Sequence, residues 1–203
     1  AITLPDGVGI DWGQLSLVDS HGTTLATWDF GGAEDYFFVA VPYGTYTIDV
    51  ETDGLAHYTG SVTIGGAATH DVALSSGFTI SGTVTLTQGQ EWIHVVAVDA
   101  ASGQEVASLW RGLLDAGDVP YALGHLNAGV YKVGVQLPGG RWSWHVSGSD
   151  PHSATPVTVD GADLTGVDLV VSPVANVVRV DGHIQVPNGV AASSAATLDI
   201  QFE

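Results

Sequence analysis

Apolar and polar residues alternate along almost the whole chain, and this alternation limits the possible fold more than any other feature of the sequence. In residues 45–51 it places Tyr46, Ile48 and Val50 on one face of an extended segment. Clusters of Gly, Pro, Asn and Asp interrupt the pattern at short intervals. Short strands with one buried face and frequent turns predict an all-β sandwich. Residues 105–117 are the one segment where we expect that a helical turn could form.

The sequence also repeats itself, which predicts how the strands are grouped. Residues 41–50 align with residues 126–135, so that Gly44 and Tyr46 match Gly129 and Tyr131. The matches extend on both sides and predict two tandem β-sandwich domains, residues 1–76 and 77–173. We expect each glycine of the Gly-x-Tyr pair to supply a turn with a permissive backbone.

A third copy of the repeat starts near the end of the chain and covers only the opening of the unit. Residues 177–189 align with residues 77–89, with Gly182 over Gly82, and residues 184–190 also resemble the opening residues 2–8. Residues 197–203 alternate strictly. We therefore expect residues 174–203 to form a partial third repeat of two strands, whose apolar face needs a partner because an isolated hairpin is marginal in water.

The repeated motifs resemble a known group of extracellular modules. A Gly-x-Val strand, a strand that ends in Asp-x-x-x-Gly and a Leu-x-x-Gly-x-Tyr-x-Val-x-Val strand, clearest in residues 78–171, are similar to the carboxypeptidase regulatory-like and Cna-B-like families. The resemblance implies immunoglobulin-like or transthyretin-like sandwiches and a role as a stalk, spacer, adhesin or fibre module without catalysis. Many Cna-B-like domains carry an internal isopeptide bond from lysine, but Lys132, the single lysine, is predicted to point outward, and we expect no such bond.

Charge excludes some partners and favours others. The chain has 22 Asp and Glu against 4 Lys and Arg, a formal net charge of −18. Such a chain repels nucleic acid and anionic membrane surfaces, and no apolar run approaches the length that spans a bilayer. It contains no cysteine, which excludes disulfides and thiol chemistry. The start at an alanine, without methionine, is interpreted as the mature end of a secreted protein, with removal of a laboratory tag as the alternative.

No arrangement of residues predicts a catalytic or cofactor site. Eight histidines are scattered without a metal-binding motif, and no nucleophile motif or phosphate loop is present, so we expect no enzyme, no cofactor and no transition-metal site. Calcium is the one cation left open, because carboxylates in Asp-Gly turns could bind it, although such turns need no ion.

Two predicted sites remain, and they belong to different functions. In the first, the tail of one molecule adds strands to the first domain of the next. The predicted donor-strand residues are Val178, Val180, Ile184, Val186, Leu198, Ile200 and Phe202, and the predicted acceptor edge contains Ile2 and Leu4. In the second, Trp142 and Trp144 share one face of a strand and form a platform for sugar rings, unless that face is buried.

The sequence therefore predicts a structural subunit of an extracellular fibre or cell-surface appendage, a homopolymer joined head to tail by β-strand complementation. Three alternatives stay open. The protein could be a monomeric extracellular module that binds polysaccharide or mediates adhesion, it could be a fragment of a longer stalk array, or its tail could fold back onto its own second domain.

Overall fold

The structure, a computed structural model, describes residues 1–146 and 149–171, which form strands and turns without any helix. The all-β fold class is thereby confirmed. These residues belong to one compact unit, Ala1–Pro173. Residues 174–203, with every predicted donor-strand residue, lie outside the described residues. We call residues 1–76 and 77–171 the first and second repeat; their division into two domains stays a prediction.

The first repeat contains a four-stranded antiparallel sheet and a small parallel pair. The strand order in the larger sheet is β3-β2-β4-β5, and β1 pairs with β6. The strands are β1 (Ile2–Thr3), β2 (Gly13–Val18), β3 (Thr24–Phe30), β4 (Gly44–Thr52), β5 (Tyr58–Ile64) and β6 (Val72–Ala73).

The second repeat also contains two sheets. One sheet has the order β12-β11-β8-β9, with β13 also paired to β11, and the other has the order β10-β7-β14. The strands are β7 (Phe78–Leu86), β8 (Gln90–Asp99), β9 (Glu105–Leu114), β10 (Gly117–Leu126), β11 (Gly129–Leu137), β12 (Arg141–Trp144), β13 (Val157–Val159) and β14 (Leu169–Val171).

Each repeat buries its own hydrophobic core between its two sheets, as alternation along the strands predicts. In the second repeat Ile80, Val84 and Leu123 from one sheet meet Val95 and Val133 from the other, all at most 1% exposed. The first core joins Ile2 and Val72 of the small pair to inward residues of the larger sheet, such as Leu15, Ile48 and Val50. The fold is a β-sandwich.

The tyrosine of each Gly-x-Tyr pair makes the same hydrogen bond in both repeats. The Tyr46 hydroxyl donates to the carbonyl of Pro42 at 3.0 Å, and the Tyr131 hydroxyl donates to the carbonyl of Asn127 at 2.8 Å. Neither Gly44 nor Gly129 has a positive φ, so the expected need for a permissive backbone does not explain why these positions are glycine. A Cβ on Gly129 would instead lie 3.0 Å from the Tyr131 hydroxyl oxygen. The glycine leaves space for the tyrosine ring two residues later.

The expectation of a helical turn within residues 105–117 is wrong. Residues 105–114 form β9, which pairs with β8 along almost its whole length, for example Trp110 opposite His94. Pairing with a neighbouring strand overrides the local preference of a segment that contains Leu, Ala and Glu. Among the described residues, no helix is long and apolar enough to cross a membrane.

Candidate functional site: an open strand slot

The first repeat contains an open apolar cavity of about 660 Å³. Its floor is the inner face of the four-stranded sheet, at Leu17, Ile48 and Val62. Residues 35–41 form one wall and residues 66–71 form the other, and Ala1 lies at one end. We call this cavity the strand slot.

The second repeat shows what occupies the corresponding space. There the first half of β7 lies between β10 on one side and residues 163–167 on the other. Ile80 pairs with Leu123 of β10 and bridges Leu164 in parallel. The amide of Ser81 donates to the Leu164 carbonyl and the amide of Leu164 donates to the Thr79 carbonyl, each at 2.8 Å. Ile80 is completely buried.

Strand register relates the two repeats at several paired positions. Ile2 pairs with Val72 in parallel, just as Val84 pairs with Leu169. Ile2 is also bridged to Glu34, and Val84 is paired with Val119. Ile2 therefore takes the place of Val84, and the residues that match 78–82 would stand before Ala1. The strand slot lies where those residues lie in the second repeat.

The wall formed by residues 35–41 takes the place of β10, because residues 34–46 match residues 119–131 at a constant spacing. Tyr36 and Phe38 thereby match Tyr121 and Leu123. Both are partly buried against the core, whereas Phe37 between them is 67% exposed. The wall keeps the alternation of a strand, although no strand is assigned to it in the structure.

A tyrosine bridge crosses the sandwich at the same place in both repeats. The Tyr36 hydroxyl donates to the carbonyl of His70 at 2.7 Å, and the Tyr121 hydroxyl donates to the carbonyl of Val167. Partial burial raises the pKa of Tyr36 above its usual value, so the hydroxyl stays protonated and remains a donor. The match of Tyr36 with Tyr121 along the repeat is the sequence signal that could have found this bridge.

In the second repeat, β7 passes beneath this bridge at Gly82, which pairs with Tyr121. A Cβ on Gly82 would lie 2.2 Å from the carbonyl oxygen of Val167 and 2.6 Å from its carbonyl carbon. These are backbone atoms, which cannot move aside as a flexible side chain can. Only glycine fits at this level of the strand.

The predicted acceptor residues lie beside the strand slot and not in it. Ile2 is 1% exposed and belongs to the core, and Leu4 packs against that core from a partly buried position. The mouth is marked by the N-terminal ammonium group, which contacts Asp71 at 2.9 Å and lowers the pKa of that carboxyl. The predicted donor residues are not placed, since they lie outside the described part of the chain.

Of the two rings of the predicted tryptophan platform, Trp144 is buried and Trp142 is partly exposed. Trp142 and Trp144 stack with ring centroids 5.2 Å apart, but Trp144 is 7% exposed and packs with Val96 and Ala154. A Cβ on Gly134 would lie 2.6 Å from the Trp144 ring, so that glycine makes room for it. Burial of one ring disfavours a flat two-ring surface for a sugar, and polysaccharide binding stays a prediction.

Lys132 lies on the outer face of β11, between the buried Tyr131 and Val133, as alternation predicts. Its ammonium group donates to the carbonyls of Pro151 and His152, at 2.9 and 3.4 Å. The absence of an isopeptide bond stays a prediction.

The structure brings together one histidine–carboxylate cluster that sequence spacing did not reveal. Asp49 and Glu51 share a face of β4, and His57 precedes β5, with its Nε2 2.5 Å from Asp49 Oδ1. The three side chains could supply ligand atoms for a divalent cation, but they are at least partly exposed, and His57 and Asp49 already form a hydrogen bond with each other. Among the turns offered as calcium ligands, the Asp19 carboxylate accepts from the amides of His21 and Thr23, contacts that need no ion.

Comparisons with known proteins add little to this geometry. No family model matches the sequence, and no curated protein matches it. Among solved structures, the chain is similar to the Bacillus anthracis TIE protein, at 13% sequence identity and a TM-score of 0.28. That match covers 84% of this chain and 32% of the other, so this chain spans about a third of that protein's length.

Proposed function

We propose that this protein is a structural subunit of an extracellular fibre, in which the tail of one copy inserts into the first repeat of the next. The observation that carries the proposal is the strand slot, an open apolar cavity of about 660 Å³. Its counterpart in the second repeat is filled by half of β7. A sandwich that lacks part of a strand is completed by strand addition, which supplies backbone hydrogen bonds and apolar side chains together.

The tail has the composition that such an insertion needs. Val178 and Val180 align with Phe78 and Ile80, the residues that line the inner side of β7, and Leu198, Ile200 and Phe202 alternate with polar residues. A contact between the tail of one copy and the first repeat of another joins two different surfaces. Such heterologous contacts need not close and can grow into a filament.

The resemblance of the repeats to carboxypeptidase regulatory-like and Cna-B-like modules supports an extracellular, non-enzymatic role, because those modules build stalks, fibres and adhesins. The net charge of −18 agrees with a surface that keeps neighbouring fibres apart. The proposed partner is a second copy of the chain, and no nucleic acid, membrane insertion or cofactor takes part.

Electron microscopy of the full chain, beside light-scattering mass, tests the proposal. We expect filaments from the unmodified protein. Val180→Asp or Ile200→Asp should leave a monomer near 20.9 kDa, because a charged side chain on the apolar face cannot enter the core without a partner.

The matched control is Gln201→Asp, which adds the same charge to the polar face of the same segment and should leave filaments intact. An unmodified protein that stays monomeric at every concentration would overturn the proposal, and so would filaments that persist in both apolar-face variants.

A further inference from the structure

We infer that the strand slot binds one particular kind of strand: an apolar-x-apolar-x-Gly segment that runs parallel to residues 66–71, with its glycine beneath the Tyr36–His70 bridge. Several segments of this chain have that pattern, among them residues 62–66 and 157–161, and residues 178–182 are the ones that align with residues 78–82 in the repeat. The inference rests on the proposed function only for the source of the strand; the binding property belongs to the slot itself.

The first step concerns the direction of a strand bound in the strand slot and the side chains that it points inward. In the second repeat β7 runs parallel to residues 163–167 and antiparallel to β10. The wall at residues 35–41 matches β10. At the opposite wall His70 matches Val167, although the segment between Ile64 and His70 is two residues shorter than its counterpart between Val159 and Val167. These matches give a strand that fills the slot one favoured direction. Its two inward side chains then replace Phe78 and Ile80, above the apolar floor at Leu17 and Ile48.

The second step is the glycine. His70 matches Val167, and both carbonyls accept from a tyrosine that reaches across the strand position. A side chain at the level of Gly82 would collide with the Val167 backbone at 2.2 Å. The same collision with the His70 carbonyl excludes every residue except glycine at that level of the strand slot.

The third step selects the occupant. Residues 178–182 carry valine at the first and third positions and Gly182 at the fifth, the order found in residues 78–82. Gly182 then stands at the level of Gly82, which pairs with Tyr121 beneath the tyrosine bridge.

An N-terminal extension of the chain tests strand binding by the slot within a single molecule, without any need for assembly. Residues 177–182 are added directly before Ala1 of the full chain, so that the added glycine precedes Ala1 as Gly82 precedes Thr83. We expect the thermal midpoint to rise by about 3 °C or more, since apolar side chains become buried in a chain of this length. Amide exchange at Ala67–His70 should become slower. The extension removes the ion pair of the N-terminal ammonium group with Asp71, which is exposed and contributes little.

Two control extensions carry the same length and position. In one, the glycine of the added copy carries the change Gly182→Val. In the other, the two valines of the added copy carry the changes Val178→Asp and Val180→Asp. The original residues 178–182 are unchanged in both. Neither should raise the midpoint or protect Ala67–His70. If all three extensions behave alike, the slot has no such selectivity and the inference is overturned.

The same proteins separate this inference from the proposed function. If the extension with glycine raises the midpoint in a chain that never forms filaments, the strand slot is as inferred and the fibre role is wrong. If filaments form and the extension neither raises the midpoint nor blocks them, the fibre role stands with a different acceptor, and the inference is overturned. If the extension raises the midpoint and abolishes filaments, both hold.

Discussion

At the scale of single residues, the same few contacts recur in both repeats, and each depends on a particular atom. The Tyr46 and Tyr131 hydroxyls each donate to the carbonyl four residues earlier, and the glycine two positions before each tyrosine leaves room for its ring. The Tyr36 and Tyr121 hydroxyls each reach across the sandwich. These hydrogen bonds tie the tyrosine side chains to backbone carbonyls of neighbouring segments, so their loss should lower the stability of the fold.

Tyr131→Phe tests the first of these contacts. The substitution removes the hydroxyl and leaves the carbonyl of Asn127 without its donor, while the ring stays in place. We expect the free energy of unfolding to fall by about 0.5–1.5 kcal/mol, measured by urea denaturation. The control is Tyr43→Phe, at a residue 79% exposed, which should change the free energy by less than about 0.5 kcal/mol. Equal effects of the two substitutions would contradict the role given to the Tyr131 hydroxyl.

At the scale of elements, turns and strand pairing decide the local structure. The turn from β8 to β9 is held by Asp99, whose carboxylate accepts from the amides of Ser102 and Ala101 and from the Ser102 hydroxyl. The hydrogen bonds that Asp99 accepts from the Ser102 amide and hydroxyl lower the pKa of its carboxyl below the usual value of 3.8. This turn then delivers β9 into register with β8, where pairing makes a strand of a segment with some helical character.

The Asp99 turn makes stability depend on pH in a predictable direction. A carboxyl whose pKa is lower in the folded state stabilises the fold above its unfolded pKa, near 3.8. That contribution is lost as the pH falls through the lower folded value. We therefore expect Asp99→Asn to reduce the loss of stability below about pH 4, measured by urea midpoints between pH 2 and pH 7.

The comparison for that experiment is Asp115→Asn, since Asp115 is an exposed residue between β9 and β10 of the same repeat. If Asp99→Asn and Asp115→Asn give the same pH profile, the Asp99 turn is not a source of the acid sensitivity.

At the scale of the whole molecule, the charge is unbalanced while the core is ordinary. A formal charge of −18 is distributed over a chain with only 4 Lys and Arg. The described contacts between acidic and basic side chains include His57 with Asp49 and His94 with Glu105, which are ion pairs only when the histidine is protonated. Like charges then repel one another across the surface, which destabilises the compact state.

Added salt should therefore stabilise the protein. The Debye length falls from about 30 Å at 0.01 M salt to about 8 Å at 0.15 M, so the thermal midpoint should rise between 10 and 150 mM NaCl and then level off. Sucrose at equal osmolality serves as the uncharged control and should produce a smaller rise. A midpoint that falls with NaCl would show that the histidine–carboxylate pairs outweigh the repulsion.

The sequence alone determined the fold class and the internal repeats, because period-two alternation and turn residues act over a few neighbouring positions. Tertiary structure decided the rest. Residues 105–114 became a strand only through pairing with β8, and Gly129 serves the space beneath Tyr131 and not a turn. The strand slot, too, was out of reach of local pattern. It is formed by walls about thirty residues apart in the chain, at 35–41 and 66–71, together with the floor of the larger sheet. Distance along the chain says nothing about which segments will meet, since strand register and packing settle that only in the folded molecule.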